Sequence, residues 1–346
     1  MNPHQLYMHR CLQLAALGEG FVAPNPMVGS VLVHNGRIIG EGYHQQYGKA
    51  HAEVNCINAV AVADKHLIPL STLYVSLEPC AHYGKTPPCA DLVITSGIRK
   101  VVVGCRDPFY AVDGKGIEIL QQAGVEVVMN VLEEECIALN KRFFTFHQQK
   151  RPYITLKWAQ TANGVIGNPA ERLLISNAYS NRFVHQLRSS NMAILAGTNT
   201  ALQDDPQLNV RHAPGASPVR LIIDLHNKLP QHLHLFDGSQ RTVIFTYSAP
   251  AGVANVEYYV LQKEKPVPAQ IVEACVALQL QSILIEGGAK TLQFFIDAQL
   301  WDEAIVIRNT LLYAEGIAAP ALHSASLFAT KQLDTDLISY YKQKER

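Results

Sequence analysis

The segment LYVSLEPC (residues 73–80) decides how the first half of this chain folds. Its apolar run predicts a buried strand over residues 73–78. The pattern predicts a helix on either side of that strand: residues 51–64 precede it, and a second helix begins at Cys89 and is ended by Gly97. Strands that alternate with helices of this length are typical of β-α-β units, in which neighbouring strands run parallel.

The same alternation continues outward from this segment. Residues 100–105 and 125–131 predict two more strands, with a helix over residues 116–124 between them. Nearer the N-terminus, apolar runs flank Asn35-Gly36. This dipeptide predicts a β-hairpin, because both of its residues tolerate positive φ. We therefore expect the first 145 or so residues to form a three-layer α/β/α domain that is opened by a hairpin.

A second series of elements starts after Arg151-Pro152. The pattern predicts a helix over residues 177–189 and a helix after Gly287-Gly288, with residues 303–308 as the last clear strand. Earlier strands of this series are predicted at residues 152–159, 193–197, 220–224, 242–247 and 282–286. We place the domains at residues 1–146 and 147–346. The absence of a G-x-G-x-x-G motif disfavours a dinucleotide-binding domain of the Rossmann type.

Composition limits the classes of partner. Lys+Arg and Asp+Glu both number 29, and this zero formal charge disfavours nucleic acid or an anionic membrane as a partner. No apolar run approaches the roughly 18–20 residues of a membrane span, and the N-terminal residues do not resemble a signal peptide. Seven cysteines, an odd number, suggest a reducing, cytoplasmic setting in which some thiols bind metal.

One constellation of residues predicts a metal site. His51, Cys80 and Cys89 offer one imidazole and two thiols, which suit zinc, and three protein ligands leave a fourth position for water. Bound zinc lowers the pKa of that water towards about 7. Glu53 is placed to carry protons between this water and a leaving group. A purely structural zinc ion is the alternative, with His82 as the nearby candidate for a fourth ligand.

These motifs resemble those of a known family. HAEV (51–54), SLEPC (76–80) and GKTPPC (84–89) resemble the deaminase half of the bifunctional riboflavin-biosynthesis deaminase/reductases. The second half resembles their reductase core at Leu187-Arg188, Asp204-Asp205-Pro206 and Glu286-Gly287-Gly288. The resemblance implies a cytidine-deaminase-like domain followed by a dihydrofolate-reductase-like domain that uses NADPH. It also implies a small phosphorylated pyrimidine as substrate, and a homo-oligomer.

The resemblance further implies two successive reactions and their site residues. The first is hydrolytic deamination of 2,5-diamino-6-(5-phosphoribosylamino)pyrimidin-4(3H)-one, and the second is reduction of the ribosyl group of the deaminated product to ribityl. His44, His82 and Lys85 lie near enough in sequence to contact base or phosphate. The implied substrate contacts are Asn25, Arg172, Arg188, Leu208, Arg211 and Glu286, and the implied NADPH contacts are Ala159, Leu174, Thr200, Asp204, Leu225 and Gly288.

The chain departs from the family pattern in the reductase half. Asn163 stands where the family usually has an acidic residue before a glycine. Arg172 and Leu174 stand where the family often has a serine and a tryptophan. These departures leave a second interpretation open, in which the chain is a deaminase only and its C-terminal domain is a degenerate reductase.

Overall fold

The computed structural model describes residues 2–81, 87–168, 173–251 and 254–344. The chain forms two compact units, Met1–Lys150 and Arg151–Arg346. The helix Lys141–Gln149 runs through the boundary predicted at 146/147. It stays with the first unit because Phe143 and Phe144 on its apolar face are buried in the core of that unit. No helix in the described part of the chain is long and apolar enough to cross a membrane.

The first unit is built on one five-stranded sheet. Its strands are β1 (Gly29–His34), β2 (Arg37–Tyr43), β3 (Thr72–Leu77), β4 (Lys100–Cys105) and β5 (Glu126–Val128). Their order in the sheet is β2-β1-β3-β4-β5. The pairs β1/β2 and β1/β3 are antiparallel, whereas β3/β4 and β4/β5 are parallel. The predicted hairpin is confirmed, with Asn35 and Gly36 both at positive φ between β1 and β2.

Helices cover both faces of this sheet. The helices of the first unit are α1 (Pro3–Ala16), α2 (Ala52–Asn58), α3 (Cys89–Thr95), α4 (Lys115–Gln122), α5 (Glu133–Leu139) and α6 (Lys141–Gln149). One face of the sheet packs against α2, α3 and α4, and the other packs against α1, α5 and α6. Along β3, Leu73 and Val75 point to the first core and Tyr74 to the second. The predicted three-layer α/β/α domain is confirmed.

The helix predicted over residues 51–64 is shorter than expected. α2 ends at Asn58, the chain turns at Ala59, and a 3-10 helix follows over Val62–Leu70. The turn places Val60 in the core, where it is 3% exposed. Hydrophobic periodicity did not predict this end, because residues 59–64 continue the same small and apolar composition.

The second unit is built on a nine-stranded sheet. The strands of this sheet are β6 (Tyr153–Gln160), β8 (Ala193–Gly197), β9 (Val219–Ile223), β10 (Thr242–Thr246), β11 (Glu257–Val260), β12 (Ser282–Ile285), β13 (Glu303–Arg308), β15 (Ala325–Leu333) and β16 (Asp336–Gln343). Two further strands, β7 (Val165–Gly167) and β14 (Ile317–Ala318), form a separate two-stranded sheet. The order is β11-β10-β9-β8-β12-β6-β13-β16-β15, and the first seven of these strands are parallel.

Within the described residues of this unit, four helices flank the sheet: α7 (Ala178–Ser189), α8 (Thr198–Asp204), α9 (Val267–Ala277) and α10 (Ala289–Asp297), with a 3-10 turn at His234–Phe236. The helices α9 and α10 pack on one face, and α7 and α8 pack on the other. The sequence pattern did not predict the hairpin formed by β15 and β16. Nearly all of β15 is exposed on both of its faces, so its residues carry no alternation between apolar and polar side chains.

Chain order places a topological switch point beside β12 in the nine-stranded sheet. From β6 the chain proceeds outward through β8, β9, β10 and β11, and only then returns to insert β12 between β8 and β6. The carboxyl ends of parallel strands at such a change of direction are where open α/β sheets bind ligands. Gly197 at the end of β8 and Glu286 after β12 lie at this edge.

Candidate active sites

Three elements of the first unit carry the predicted metal ligands. His51 caps the N-terminus of α2, Cys80 follows the end of β3, and Cys89 is the first residue of α3. The candidate metal site therefore lies where the N-termini of α2 and α3 meet the carboxyl end of β3. A helix N-terminus carries a partial positive potential, which favours the thiolate form of cysteine.

The three side chains meet as a metal site requires. His51 Nδ1 lies 3.5 Å from Cys80 Sγ and 3.3 Å from Cys89 Sγ, and the three ligand atoms lie within 4.8 Å of one another. Tetrahedral zinc, with Zn–S near 2.3 Å and Zn–N near 2.0 Å, separates nitrogen from sulfur by about 3.5 Å. The donor set and its spacing therefore fit zinc. His82 lies outside the described residues.

The two thiols are not equivalent. Cys80 Sγ accepts a hydrogen bond from the backbone N–H of Cys89 at 3.3 Å. Its hydrogen bonds with the Cys89 thiol and with His51 lower the pKa of Cys80. The same pairing with Cys80, together with burial, raises the pKa of Cys89. One thiolate is thus already favoured before a metal ion adds its charge.

Glu53 lies beside the candidate ligands with little access to solvent. It is in the first turn of α2, its side chain is 3% exposed, and it interacts with the Cys89 thiol. Burial raises the pKa of Glu53 to about 7. A buried carboxyl group at the edge of a metal site is suited to carry a proton between two reacting groups.

Asn25 reaches this site through a histidine. Its Nδ2 lies 3.2 Å from His44 Nε2, and His44 Nδ1 lies 3.0 Å from the carbonyl oxygen of Ala50. The rings of His44 and His51 pack edge to face with centroids 5.3 Å apart. Burial lowers the pKa of His44, which keeps the ring neutral. Asn25, His44 and His51 are therefore one polar cluster, although 19 residues separate Asn25 from His44.

A charged cluster surrounds Glu286 at the carboxyl end of β12 in the second unit. Arg188 Nε and Nη2 donate to the two carboxylate oxygens of Glu286 at 2.9 and 2.8 Å, and Lys157 Nζ lies 4.0 Å from Glu286 Oε2. Although burial opposes ionisation, Arg188 and Lys157 lower the pKa of Glu286 to about 2. The structure thus brings Arg188 and Glu286 together and adds Lys157. Its position on β6, a mostly apolar and mostly buried strand, was a signal for it in the sequence.

Arg211 lies next to this cluster, and both its backbone and its side chain make hydrogen bonds. The N–H of Arg211 donates to His185 Nδ1 at 3.1 Å, and its guanidinium contacts the side chains of Gln207 and Asn209. Burial lowers the pKa of His185 to about 4, so this ring is neutral and its proton is on Nε2. The side chain of Leu208 is buried in an apolar cluster, and its carbonyl oxygen accepts a hydrogen bond from Gln240 Nε2 at 3.2 Å.

Two of the implied NADPH contacts, Thr200 and Gly288, meet at the turn between β12 and α10. A Cβ on Gly288 would lie 3.1 Å from Thr200 Oγ1, and a Cβ on Gly197 would lie 2.5 Å from Thr291 Oγ1. Gly288 has φ +65° and caps α10. Missing Cβ atoms beside a helix N-terminus form a cradle of the kind that accepts a phosphate group, which fits a dinucleotide.

Two of the remaining implied contacts, Ala159 and Leu225, lie at the carboxyl ends of strands in the same sheet. Ala159 is near the end of β6, Leu225 follows β9, and Asp204 ends α8. The side chain of Leu174 is 80% exposed and is therefore open to a ring. Arg172 lies outside the described residues.

The departure at Asn163 has a structural reason. Its Nδ2 donates to the carbonyl oxygen of Tyr313 at 2.6 Å, and its Oδ1 accepts from the N–H of Tyr313 at 3.3 Å and from Thr161 Oγ1 at 2.8 Å. An ionised aspartate has no donor for the carbonyl oxygen. The amide therefore fastens the turn after β6 to the segment after β13.

Two family models match the chain, one in each unit. The "Cytidine and deoxycytidylate deaminase zinc-binding region" matches residues 1–105, and the "RibD C-terminal domain" matches residues 152–313. The fold and the two sites therefore define the class of this chain: a zinc-binding deaminase domain joined to a reductase domain.

Relatives of similar length make the assignment narrower. The riboflavin biosynthesis protein RibD of Aquifex aeolicus is 36% identical over 97% of this chain and 98% of its own. RibD of Actinobacillus pleuropneumoniae is 40% identical over 82% of this chain and 77% of its own length. A diaminohydroxyphosphoribosylaminopyrimidine deaminase/5-amino-6-(5-phosphoribosylamino)uracil reductase from Thermotoga maritima has a crystal structure that is 34% identical, with a TM-score of 0.87 over 99% of both chains.

The chain belongs to the RibD family of riboflavin biosynthesis proteins. Both domains of the family are present, which favours a bifunctional deaminase and reductase over a deaminase alone. The expected zinc-binding domain and the expected NADPH-linked reductase domain are accordingly both confirmed as domains.

Proposed function

We propose that the first unit catalyses hydrolytic deamination of 2,5-diamino-6-(5-phosphoribosylamino)pyrimidin-4(3H)-one. His51, Cys80 and Cys89 hold one zinc ion, and Glu53 is the catalytic proton carrier. The observation that carries this proposal is the convergence of three zinc-type donor atoms within 4.8 Å, with a buried carboxyl group beside them. The activity named for the Thermotoga maritima relative supports the same substrate.

Each group has a separate task in this reaction. When bound, zinc lowers the pKa of a water molecule towards about 7. Glu53 would accept a proton from the attacking water as its oxygen bonds to C2 of the pyrimidine and the C2=N1 double bond opens onto the ring nitrogen. The carboxyl group would then give the proton to the amino group at the same carbon, the C–N bond to that group breaks as the ring C=N double bond re-forms, and ammonia leaves. Asn25, which is oriented by His44, hydrogen-bonds the edge of the pyrimidine.

The second unit then reduces the deaminated product, 5-amino-6-(5-phosphoribosylamino)uracil. Arg188, Leu208, Arg211 and Glu286 contact the substrate, and Arg172 is a further candidate contact. Lys157, Arg188 and Arg211 supply three cationic groups against the single carboxylate of Glu286, and this excess of positive charge suits a phosphate ester. The backbone of Leu208 makes its contact, because its side chain is buried.

Residues along the carboxyl edge of the nine-stranded sheet would hold NADPH. When bound, the cofactor would supply the hydride that reduces C1′ of the ribosyl group. Thr200 and Gly288 hold a phosphate of the cofactor, supported by the cradle at the start of α10. Ala159, Leu174, Asp204 and Leu225 complete the cofactor site, and the exposed Leu174 packs against a ring of the cofactor.

We also propose that the enzyme acts in the cytoplasm as a homo-oligomer, on small molecules and not on nucleic acid. The equal numbers of basic and acidic residues support the last point. The seven free cysteines support a reducing compartment.

The Glu53→Gln variant tests the deaminase. We expect it to keep one zinc ion per chain and to lose ammonia release by at least about 100-fold, because general acid–base catalysis contributes about that much. Zinc content is measured by atomic absorption, and ammonia by a coupled assay with the pyrimidine substrate. Glu134→Gln, at an exposed position, is the matched control. Ammonia release unchanged by Glu53→Gln would remove Glu53 from this role.

Supplying the deaminated intermediate tests the reductase separately. We expect NADPH absorbance to fall when that intermediate is added without the first substrate. No NADPH oxidation would favour a degenerate reductase domain. Retained zinc with no ammonia release from the unmodified enzyme would instead indicate a structural metal ion.

A further inference from the structure

Glu78 is a buried carboxylate two residues before Cys80, and its side chain is 3% exposed. Its Oε2 accepts hydrogen bonds from the backbone N–H groups of Asp107 and Gly114 at 3.2 and 3.0 Å. Its Oε1 accepts from the N–H groups of Gly116 and Ile117 at 2.9 and 3.3 Å. One side chain thus satisfies four backbone donors from a segment about 30 to 40 residues away.

Two glycines allow this segment to wrap around the carboxylate. Gly114 has φ +90°, a conformation that other residues rarely adopt. A Cβ on Gly116 would lie 2.0 Å from the carbonyl oxygen of Pro79 and 3.2 Å from Glu78 Oε1. The start of α4 is therefore pressed directly against the residues that lead into Cys80.

The chain needs such a support at this point because the sheet no longer holds it. The pairing of β3 with β4 ends at Leu77 and Cys105, and the N–H of Glu78 makes one more bond to the carbonyl oxygen of Cys105 at 3.0 Å. Pro79 has no N–H to donate. The four bonds of the Glu78 side chain are thus placed where the backbone pairing stops and the candidate ligand begins.

We propose that Glu78 is a positioning residue for Cys80. By binding residues 107–117 across the end of β3, its carboxylate fixes the backbone from which Cys80 Sγ reaches the metal. This inference rests on the zinc site proposed above. It concerns how firmly zinc is held, and it assigns Glu78 no contact with the substrate.

The Glu78→Gln variant of the full-length, zinc-loaded enzyme tests this proposal. A glutamine places an NH2 group against backbone N–H donors and leaves two of them without an acceptor. Loss of a group that orients a metal ligand typically weakens the site by about 10-fold to 100-fold. We therefore expect zinc to pass to a chromogenic chelator at least about 10-fold faster than from the unmodified enzyme.

Two controls separate positioning from general loss of stability. Glu118→Gln makes the same change at an exposed position on α4. We expect it to leave the rate of zinc release unchanged. Leu32→Ala removes a buried side chain of the same unit, and we expect it to lower the melting temperature without a matching increase in zinc release. Gly116→Ala keeps the carboxylate but forces α4 away from Pro79, and it carries the test if Glu78→Gln does not fold.

The outcomes are distinct. The proposal is overturned if Glu78→Gln, or a folded Gly116→Ala, releases zinc no faster than the unmodified enzyme. It is also overturned if either variant releases zinc only as fast as Leu32→Ala does. Failure of both variants to fold overturns it too, because Glu78 would then be required for the fold as a whole. An unmodified enzyme that binds no zinc overturns the proposed metal site instead.

Discussion

At the scale of single residues, Glu286 is a buried carboxylate placed between two cationic side chains, Arg188 and Lys157. Removing one partner of a buried ion pair leaves uncompensated charge in the interior, which costs about 3–5 kcal/mol. We expect Glu286→Gln to lower the free energy of unfolding of the second unit by about this amount, as measured by denaturant titration.

The matched control for this prediction is an exposed pair in the same unit. Arg241 and Glu257 are 2.7 Å apart, and both side chains are about half exposed. Breaking such a pair with Arg241→Gln costs less than about 1 kcal/mol. Equal effects of the two substitutions would contradict the view that burial sets the strength of the Glu286 pair.

The pH dependence of stability follows from the same residue. Because Arg188 and Lys157 lower the pKa of Glu286 from 4.5 to about 2, ionised Glu286 stabilises the fold above pH 4.5. This contribution is lost as the pH falls from 4.5 towards 2, where the carboxylate is protonated in the folded state too. The unmodified enzyme should therefore lose stability more steeply than Glu286→Gln over this range, in unfolding measured at several pH values.

At the scale of elements, the distance between α2 and the sheet sets the position of His51. A Cβ on Gly42 in β2 would lie 2.3 Å from the backbone nitrogen of Cys56 and 2.7 Å from the carbonyl oxygen of Ala52. The backbone of α2 thus lies directly on the glycine. His51 and Glu53 belong to the first turn of this helix, so their positions depend on that close approach.

Gly42→Ala should therefore weaken the metal site although residue 42 is not a ligand. The methyl group forces α2 away from β2, and we expect lower zinc occupancy and a lower melting temperature. Gly124→Ala is the control: its φ of +79° makes the change strained, but nothing lies within 4 Å of the added methyl group. We expect it to cost about 1 kcal/mol and to leave zinc occupancy unchanged. Full occupancy in Gly42→Ala would contradict the prediction.

At the scale of the whole molecule, the two units have separate cores and separate candidate sites. Cys89→Ser should lose zinc and destabilise the first unit, since binding free energy of a metal contributes to folding. NADPH oxidation with the supplied intermediate should persist, because the reductase residues belong to the second unit. Calorimetry and zinc analysis check the first effect, and cofactor absorbance checks the second. A Cys89→Ser enzyme that melts like the unmodified one with full zinc content would contradict this account.

The sequence by itself predicted the class of fold, which the structure confirms, and the candidate metal ligands. Alternating strands and helices produce a periodic pattern, and a metal site of three ligands, His51, Cys80 and Cys89, uses short motifs at the ends of such elements. The structure alone decided the charged cluster, in which Arg188 meets Glu286 across 98 residues and Lys157 joins them from a mostly apolar strand. It also decided the support that Glu78 gives to Cys80 through residues 107–117. The physical reason is that hydrogen bonds and ion pairs between distant segments depend on how the elements pack. Local hydrophobic periodicity does not predict that packing.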